Sequence, residues 1–157
     1  MESNTFDFVS IFDIIPIPGL VVVYTDELKE VHFANKAFLE NADIDLPSIQ
    51  SQKVHDLLKH IYLIDDKGEH IELNIALKTV IDQNEEMDLF ILRTNEKNGI
   101  CRLEDNFNKL RISRVFIENE SEHTYLSLFF HKGGLIAVQQ ITQDDLGEKL
   151  VCTIDTN

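Results

Sequence analysis

Residues Ile14 to Leu39 read IIPIPGLVVVYTDELKEVHFANKAFL and carry the clearest local signals in the chain. The segment Pro16–Gly19 ends one element, because proline lacks a backbone N–H and glycine favours turns. The apolar, β-branched run Leu20–Tyr24 predicts a strand, and the polar residues after it predict a hairpin turn. A second short run, Val31–Phe33, predicts the strand that returns.

Asn35 marks the start of the next element. Asparagine is a preferred N-cap residue, because its side chain accepts hydrogen bonds from the unpaired N–H groups of the first helical turn. Apolar residues at helical spacing, Phe38 and Leu39 among them, follow it. We therefore interpret Asn35 as a structural cap and loop tie, not as a reactive group.

This order of strand, hairpin, strand, asparagine cap and helix resembles the opening of a PAS domain. The resemblance rests on an aromatic-x-Asn-x-x-Phe segment, here Phe33, Asn35 and Phe38, which in that family links the second strand to the first core helix. It extends over about residues 4–142 and implies an α+β fold. That fold is a PAS-like five-stranded antiparallel sheet backed by short helices, with an N-terminal capping helix.

The first residues predict that N-terminal helix. A polar residue among residues 3–5 can cap it, and Pro16 ends it. Its apolar residues fall on more than one face, which is typical of a helix that is enclosed or lies at an interface. PAS-like domains often dimerise through a helix in this position, so the resemblance implies a homodimer with Phe6, Val9 and Phe12 as interface candidates.

We expect the chain to divide into the N-terminal helix (1–16), a PAS-like domain (17–143) and a C-terminal tail (144–157). Within the domain, Asp65–Gly68 predicts a turn. The apolar residues from Leu73 to Val80 have the spacing of an amphipathic helix, but a hairpin that begins at Ile61 competes with it. We favour the helix.

The last third of the chain predicts an antiparallel meander of three strands, Lys109–Ile117, Tyr125–Phe130 and Leu135–Ile141. Together with the two early strands they supply the five strands of the expected sheet. Met87–Leu92 also resembles a strand. This leaves open that Met87–Leu92 is a sheet member and that Leu135–Ile141 is an addition.

Composition and charge indicate a single globular domain with an acidic surface. Of 157 residues, 43% are hydrophobic, and 14 basic residues stand against 28 acidic ones for a formal net charge of −14. Such a surface repels nucleic-acid phosphates and anionic lipids, and no basic stripe with interleaved aromatic residues appears in the sequence. No apolar run is long enough to span a membrane, and no signal peptide is present. We therefore expect a cytoplasmic protein with neither a nucleic-acid nor a membrane partner.

The cysteines and histidines do not indicate a cofactor. Cys101 and Cys152 form no CxxC pair, and the residues around Cys101 lack the asparagine and the aromatic residue of the flavin-binding light sensors of the family. Haem-binding members use a helical histidine, for which His70 is a candidate, although Gly68 and Glu69 beside it indicate exposure to solvent. We expect no metal and no cofactor, with haem on His70 as the alternative.

A ligand pocket is the remaining candidate site. Ten phenylalanines and no tryptophan predict a core of rings that is either solid or encloses a cavity. The residues that we expect to line it are Phe33, Phe38, Leu77, Val80, Leu126, Leu128 and Phe130. Catalytic motifs are missing from the sequence, and its paired acids lie in segments that resemble turns, so we predict no catalytic residues.

The sequence as a whole favours a non-enzymatic PAS-type sensory or regulatory domain in signal transduction. Such a domain would bind a small apolar ligand or a signalling protein partner and would dimerise. The alternatives are a small α+β enzyme or carrier with a histidine and carboxylates in a cleft, and a purely structural dimerisation domain. A histidine hydrogen-bonded to a carboxylate at the floor of a pocket would favour the enzyme.

Overall fold

The computed structural model describes residues 8–59, 61–93, 107–117, 123–132, 136–138 and 152–154. The helices are α1 (Phe8–Ile14), α2 (Lys36–Ala42), α3 (Leu46–Ile49), α4 (Val54–Leu57) and α5 (Leu73–Gln83). The strands are β1 (Gly19–Tyr24), β2 (Lys29–Ala34), β3 (Ile61–Ile64), β4 (Met87–Arg93), β5 (Phe107–Val115), β6 (Thr124–Lys132), β7 (Ile136–Val138) and β8 (Cys152–Ile154). In these ranges no helix is both long and apolar enough to cross a bilayer.

Six strands form one antiparallel sheet in the order β2-β1-β6-β5-β4-β3. The early strand β1 lies beside β6, with Leu20 opposite Leu128 and Val22 opposite Leu126. This arrangement confirms the predicted α+β class and the helix-backed antiparallel sheet. The sheet has six strands where the sequence predicted five.

The meander consists of β4, β5 and β6. A strand does form at residues 136–138, within the predicted Leu135–Ile141, but its predicted place in the meander was wrong. Residues 136–138 instead pair with residues 152–154 in a separate two-stranded sheet. The first of these strands lies in the expected domain (17–143) and the second in the expected tail (144–157). Strand β4 takes the place in the main sheet because it alternates: Leu89 and Ile91 are buried in the core while Asp88 faces outward. The open alternative, that Met87–Leu92 belongs to the sheet, is therefore correct.

The middle of the chain contains both of the elements that competed in the sequence. Helix α5 forms as predicted and buries Ala76, Leu77 and Val80. Strand β3 precedes it, and a tight turn then brings His70 opposite Ile64. The hairpin is completed within a few residues, which leaves the rest of the segment free to form the helix.

The predicted Asp65–Gly68 turn is confirmed in detail. The Gly68 N–H donates to the Asp65 carbonyl at 3.1 Å, and Gly68 has a φ of 81°, which only glycine adopts without strain. The Asp65 carboxylate accepts hydrogen bonds from the backbone N–H groups of Lys67 and Glu69, both at 2.9 Å.

Short segments pair with the outermost strands of the sheet on both sides. On β2, Val31 donates to the Gln52 carbonyl at 2.9 Å and accepts from the Ser51 N–H at 2.8 Å. On β3, the Ile71 N–H donates to the Leu63 carbonyl at 3.0 Å. Because part of each outer edge is already paired, the addition of a partner strand at these edges is disfavoured.

The main core lies between the sheet and helices α2 to α5. Strands β1 and β6 contribute alternate residues to it, namely Leu20, Val22, Tyr24, Leu126, Leu128 and Phe130. The helical layer contributes its own buried apolar residues, among them Phe38, Ile49, Val54, Leu57, Leu77 and Val80. Strand alternation therefore assigns one face of the sheet to this core.

Helix α1 covers part of the opposite face of the sheet. Phe12 is 2% exposed and packs with Val21, Ile117 and Tyr125 in a second cluster. Its ring centroid lies 5.2 Å from that of Phe129. The helix lies within the predicted range of residues 1–16, of which residues 1–7 fall outside the described part of the chain.

Candidate functional site

Asn35 joins three segments where α1, β1 and α2 meet. Its side chain is fully buried, and Oδ1 accepts from the backbone N–H groups of Gly19 at 3.0 Å and Phe38 at 2.9 Å. Nδ2 donates to the carbonyls of Ile17 at 2.8 Å and Ile15 at 3.4 Å. The amide is satisfied on both sides, which confirms the prediction of a structural cap and loop tie.

Gly19 allows α1 to lie on the sheet. A Cβ at this position would stand 2.7 Å from Cε1 of Phe129 and 2.9 Å from Cζ of Phe12. Both distances are shorter than side chains tolerate, so only glycine leaves room for the two rings above the start of β1.

Six of the seven predicted pocket residues meet in the main core. Each is at most 1% exposed, and the rings of Phe38 and Phe130 lie 5.9 Å apart; the others are Leu77, Val80, Leu126 and Leu128. The surface depressions described below contain none of these residues. A ligand among the six stays a prediction.

Phe33 lies on the opposite side of the sheet, against Phe12 at a centroid distance of 5.9 Å. The structure thus separates it from the other predicted pocket residues. The reason is a bulge in β2: Val21 pairs with Phe33 and Val22 with Val31, which leaves His32 as an extra residue. The bulge reverses the alternation after Val31, and the sequence shows no sign of it.

The predicted dimer contacts lie at different depths. Phe6 is outside the described residues, Val9 is partly buried, and Phe12 is buried within its own chain. Among the α1 side chains that the structure describes, Ile11 is 43% exposed and Ile14 is 76% exposed. Apolar residues on more than one face of the helix were the sequence signal for them. The dimer contact itself stays a prediction.

A hydrogen bond and an ion pair connect Asp13 of α1 to Lys36 at the start of α2. The backbone N–H of Lys36 donates to Oδ1 of Asp13 at 3.0 Å, and the Lys36 Nζ lies 3.9 Å from Oδ2. Asp13 thus accepts from the first residue of α2, next to Asn35. The position of α1 is therefore linked to the position of α2.

A groove of about 380 Å³ opens on the outer face of the sheet, and its lining comes from β4, β5 and β6. The lining residues are Asp88, Leu89, Phe90, Lys109, Arg111, His131 and Lys132. Nε and Nη2 of Arg111 donate to the two carboxylate oxygens of Asp88 at 2.7 and 3.0 Å. This bidentate contact holds the pKa of the Asp88 carboxyl below its usual range.

His131 has a lowered pKa in the same groove. Partial burial is the main cause, because it disfavours the charged imidazolium. The positive charges of Arg111 and Lys109 lower the pKa further, while Asp88 opposes them. His131 is therefore mainly neutral near pH 7.

Two other depressions lie at the surface of the described residues. One, of about 340 Å³, is formed by β2 and the segment that follows α3, with His32, Glu30 and Gln50 in its wall. The other, of about 190 Å³, is lined by residues of α4, β3 and the start of α5, including His55 and His70.

The two histidines of the smaller depression, His55 and His70, are both exposed to solvent. His55 Nε2 lies 3.4 Å from Asp56 Oδ1, but these chain neighbours are both exposed and Asp56 is not in the depression. His70 is exposed and stacks on Tyr62 at a centroid distance of 4.0 Å. An axial haem ligand needs an apolar chamber, which this surface position does not provide.

Metal ligands do not converge in the described ranges, where no group of three or more His, Cys, Asp or Glu is placed to hold an ion. Cys101 falls outside these ranges. Cys152 belongs to β8.

Comparison with known proteins gives matches among solved structures only. No protein-family model and no curated protein matches the sequence. The chain is similar to an RNA-binding light-oxygen-voltage receptor (13% identity, TM-score 0.51), with 78% of this chain and 31% of that chain covered. It thus spans about a third of that receptor's length.

The chain is also similar to the PAS domain of nitrogen regulation protein NR(II) from Vibrio parahaemolyticus (14% identity, TM-score 0.52), over 79% of this chain and 95% of that one. The blue-light photoreceptor Vivid is 17% identical with a TM-score of 0.48, which adds nothing to the assignment. Identities this low bear on the fold alone. On the overall similarity to the first two neighbours, the chain has the fold of a PAS domain.

Proposed function

We propose that this chain is a non-catalytic sensory or regulatory module of signal transduction that works by changing how α1 associates with a second copy. One observation carries the proposal: β1 and β6 are shared between the two apolar clusters. Leu20 and Val22 of β1 belong to the main core, and Val21 and Val23 between and beside them belong to the α1 cluster.

Sharing these strands couples the two faces of the sheet. Phe12 contacts both Gly19 and Phe129, and there is no space for a further atom between them. A small shift of β1 therefore changes the position at which α1 packs on the sheet. Close-packed contacts of this kind transmit strain and tend to switch between discrete arrangements. A change in the main core can therefore reach α1 without a direct contact.

The input that we propose is a small apolar molecule held between the sheet and α2 to α5. The six clustered pocket residues are closed to solvent, so a ligand must part the helical layer and stabilise the parted state. A module of this fold occurs in a nitrogen regulation protein and in a light-oxygen-voltage receptor, which supports a regulatory role.

The output that we propose is homodimerisation through Ile11 and Ile14, the exposed apolar residues of α1. Native mass spectrometry of the purified protein tests both steps, since it reports the number of chains and any small molecule that is retained. We expect two chains at micromolar concentration. A monomer at every concentration, with the same mass as the bare chain, would contradict the proposal.

Substitution separates this surface from general hydrophobic association. Ile14→Asp should weaken the dimer at least about tenfold, because a charge would be buried at the contact. Ile75→Asp is the matched control, since Ile75 is also exposed (54%) but lies on α5. Equal effects of the two substitutions would rule out α1 as the contact.

A further inference from the structure

Basic residues are concentrated on two neighbouring strands of an otherwise acidic protein. The whole chain has 28 acidic and 14 basic residues, yet β5 and β6 contain no Asp or Glu. The same two strands carry Lys109, Arg111, Arg114 and Lys132. The antiparallel pairing of β5 with β6 places Lys109 opposite His131, which brings Lys109, Arg111 and Lys132 toward one end of the strand pair. Arg114 lies toward the other end, opposite Leu126.

Three cations and one carboxylate line the outer groove. Asp88 holds Arg111 through two of the five guanidinium N–H groups. Counting contacts within the described ranges, three N–H groups remain to bind a ligand in a fixed orientation. The Lys109 ammonium lies over the Phe90 ring at 5.7 Å. The Lys132 ammonium lies over the Phe107 ring at 5.4 Å.

The two lysines are available for a ligand. Within the described ranges neither ammonium has a carboxylate within ion-pair distance. The nearby acid Glu86 is held by a hydrogen bond of 3.1 Å from the Ser113 hydroxyl, further along β5 from Lys109. The groove thus has an excess of positive charge and the Phe90 ring in its lining, with the acid Glu86 nearby.

We propose that this groove binds a short acidic peptide segment of a partner protein. Carboxylates of the peptide accept hydrogen bonds from the free N–H groups of Arg111 and from the ammonium groups of Lys109 and Lys132. Apolar atoms of the peptide pack on the Phe90 ring, which is partly exposed. The segment lies on the face of the sheet, because the groove is lined by residues of β4, β5 and β6.

A short peptide suits this groove better than a nucleic acid does. At physiological ionic strength charges are screened beyond about 8 Å, so a ligand with a few carboxylates responds mainly to the local cations. A long polyanion would extend beyond the groove over a protein whose net charge is −14. The contact is separate from α1 and does not depend on the proposed dimer.

The test is a fluorescence-anisotropy titration of the protein with a labelled glutamate-rich octapeptide. Lys109→Glu should weaken binding about tenfold, because it replaces an attractive charge by a repulsive one. Lys53→Glu is the control, since it changes the net charge by the same amount as Lys109→Glu. Lys53 is exposed and lies beside β2, the outer strand at the other edge of the sheet from β3. The control substitution should change the affinity less than about twofold, as expected for a screened charge.

Each other outcome overturns the proposal. One is that the wild-type protein does not bind the peptide at low salt. Another is that Lys109→Glu and Lys53→Glu weaken peptide binding equally. The third is that a twelve-nucleotide single-stranded RNA binds more tightly than the peptide. Circular dichroism checks that the variants are folded. If Lys109→Glu fails to fold, Lys132→Glu replaces it, because the Lys132 side chain is exposed at the end of β6.

Discussion

Gly19 and Asn35, sixteen positions apart, are joined by a reciprocal pair of hydrogen bonds. The Gly19 N–H donates to the Asn35 side-chain Oδ1 at 3.0 Å, and the Asn35 backbone N–H donates to the Gly19 carbonyl at 3.1 Å. The pair aligns the first residue of β1 with the N-cap of α2. It also places Gly19 beneath the rings of Phe12 and Phe129. One junction therefore sets the positions of α1, β1 and α2.

Asn35→Ala should lower the free energy of unfolding by about 2–4 kcal/mol. The substitution leaves buried N–H groups of Gly19 and Phe38 and the carbonyl of Ile17 without partners, and unsatisfied buried groups are costly. Urea denaturation measures the change. Asp45→Ala is the matched control, because Asp45 is an exposed N-cap whose loss costs about 1 kcal/mol. Equal losses would contradict the role of Asn35 as a buried junction.

Gly19→Ala should release α1 from the sheet. The new methyl group would overlap the rings of Phe129 and Phe12, so either the rings or the helix must move, at about 1–3 kcal/mol. Hydrogen exchange should show faster exchange of the α1 amides. Gly68→Ala is the control: it has no atom within 4 Å of the new Cβ but has a φ of 81°, so it should cost stability without affecting α1. Unchanged α1 exchange in Gly19→Ala would contradict the prediction.

NMR titration should give His131 a pKa below its ordinary value. Arg111→Gln should raise it, because the substitution removes a positive neighbour and frees the Asp88 carboxylate, which favours the imidazolium. Arg114→Gln is the control and should leave the pKa unchanged, since Arg114 is not among the groups that shift it. An ordinary pKa in the wild-type protein would refute the effect of burial.

The lowered pKa of His131 also predicts how the stability of the protein depends on pH. Because the folded pKa of His131 is the lower one, the unfolded chain binds more protons between the two pKa values. The contribution of His131 to stability should therefore rise with pH through that window and fall on acidification. Replacing His131 by Gln should remove this part of the pH dependence. An unchanged profile of unfolding free energy against pH between the wild-type protein and this variant would contradict it.

The Asp88–Arg111 pair should contribute little to stability at neutral pH despite its bidentate geometry. Both side chains are about half exposed, and exposed ion pairs are worth roughly 0.2–1 kcal/mol. The folded pKa of Asp88 is lowered, so this contribution is present above the ordinary aspartate pKa and is lost as the pH falls through the folded value. A double-mutant cycle with Asp88→Asn and Arg111→Gln measures it at neutral and at acidic pH. A coupling energy that persists at low pH would show that charge is not its origin.

The sequence by itself determined the elements whose hydrogen bonds close within a few residues. The hairpin turn at residues 25–28, the cap at Asn35, the turn at Asp65–Gly68 and helix α5 are all of this kind. Their stability depends on near neighbours along the chain, so residue type and spacing are sufficient to predict them.

Tertiary structure alone decided which strands share the sheet and which side chains meet. Residues 87–93 and 135–141 are both apolar and suited to strands, and only pairing with β5 showed which of them completes the meander. The bulge at His32 moved Phe33 to the outer face, and pairing of β4, β5 and β6 gathered Asp88, Arg111 and His131 into one groove. Such contacts join residues on different strands, as with Asp88 and Arg111, which are 23 positions apart. Their energies depend on competition among all strands of the chain rather than on any local pattern.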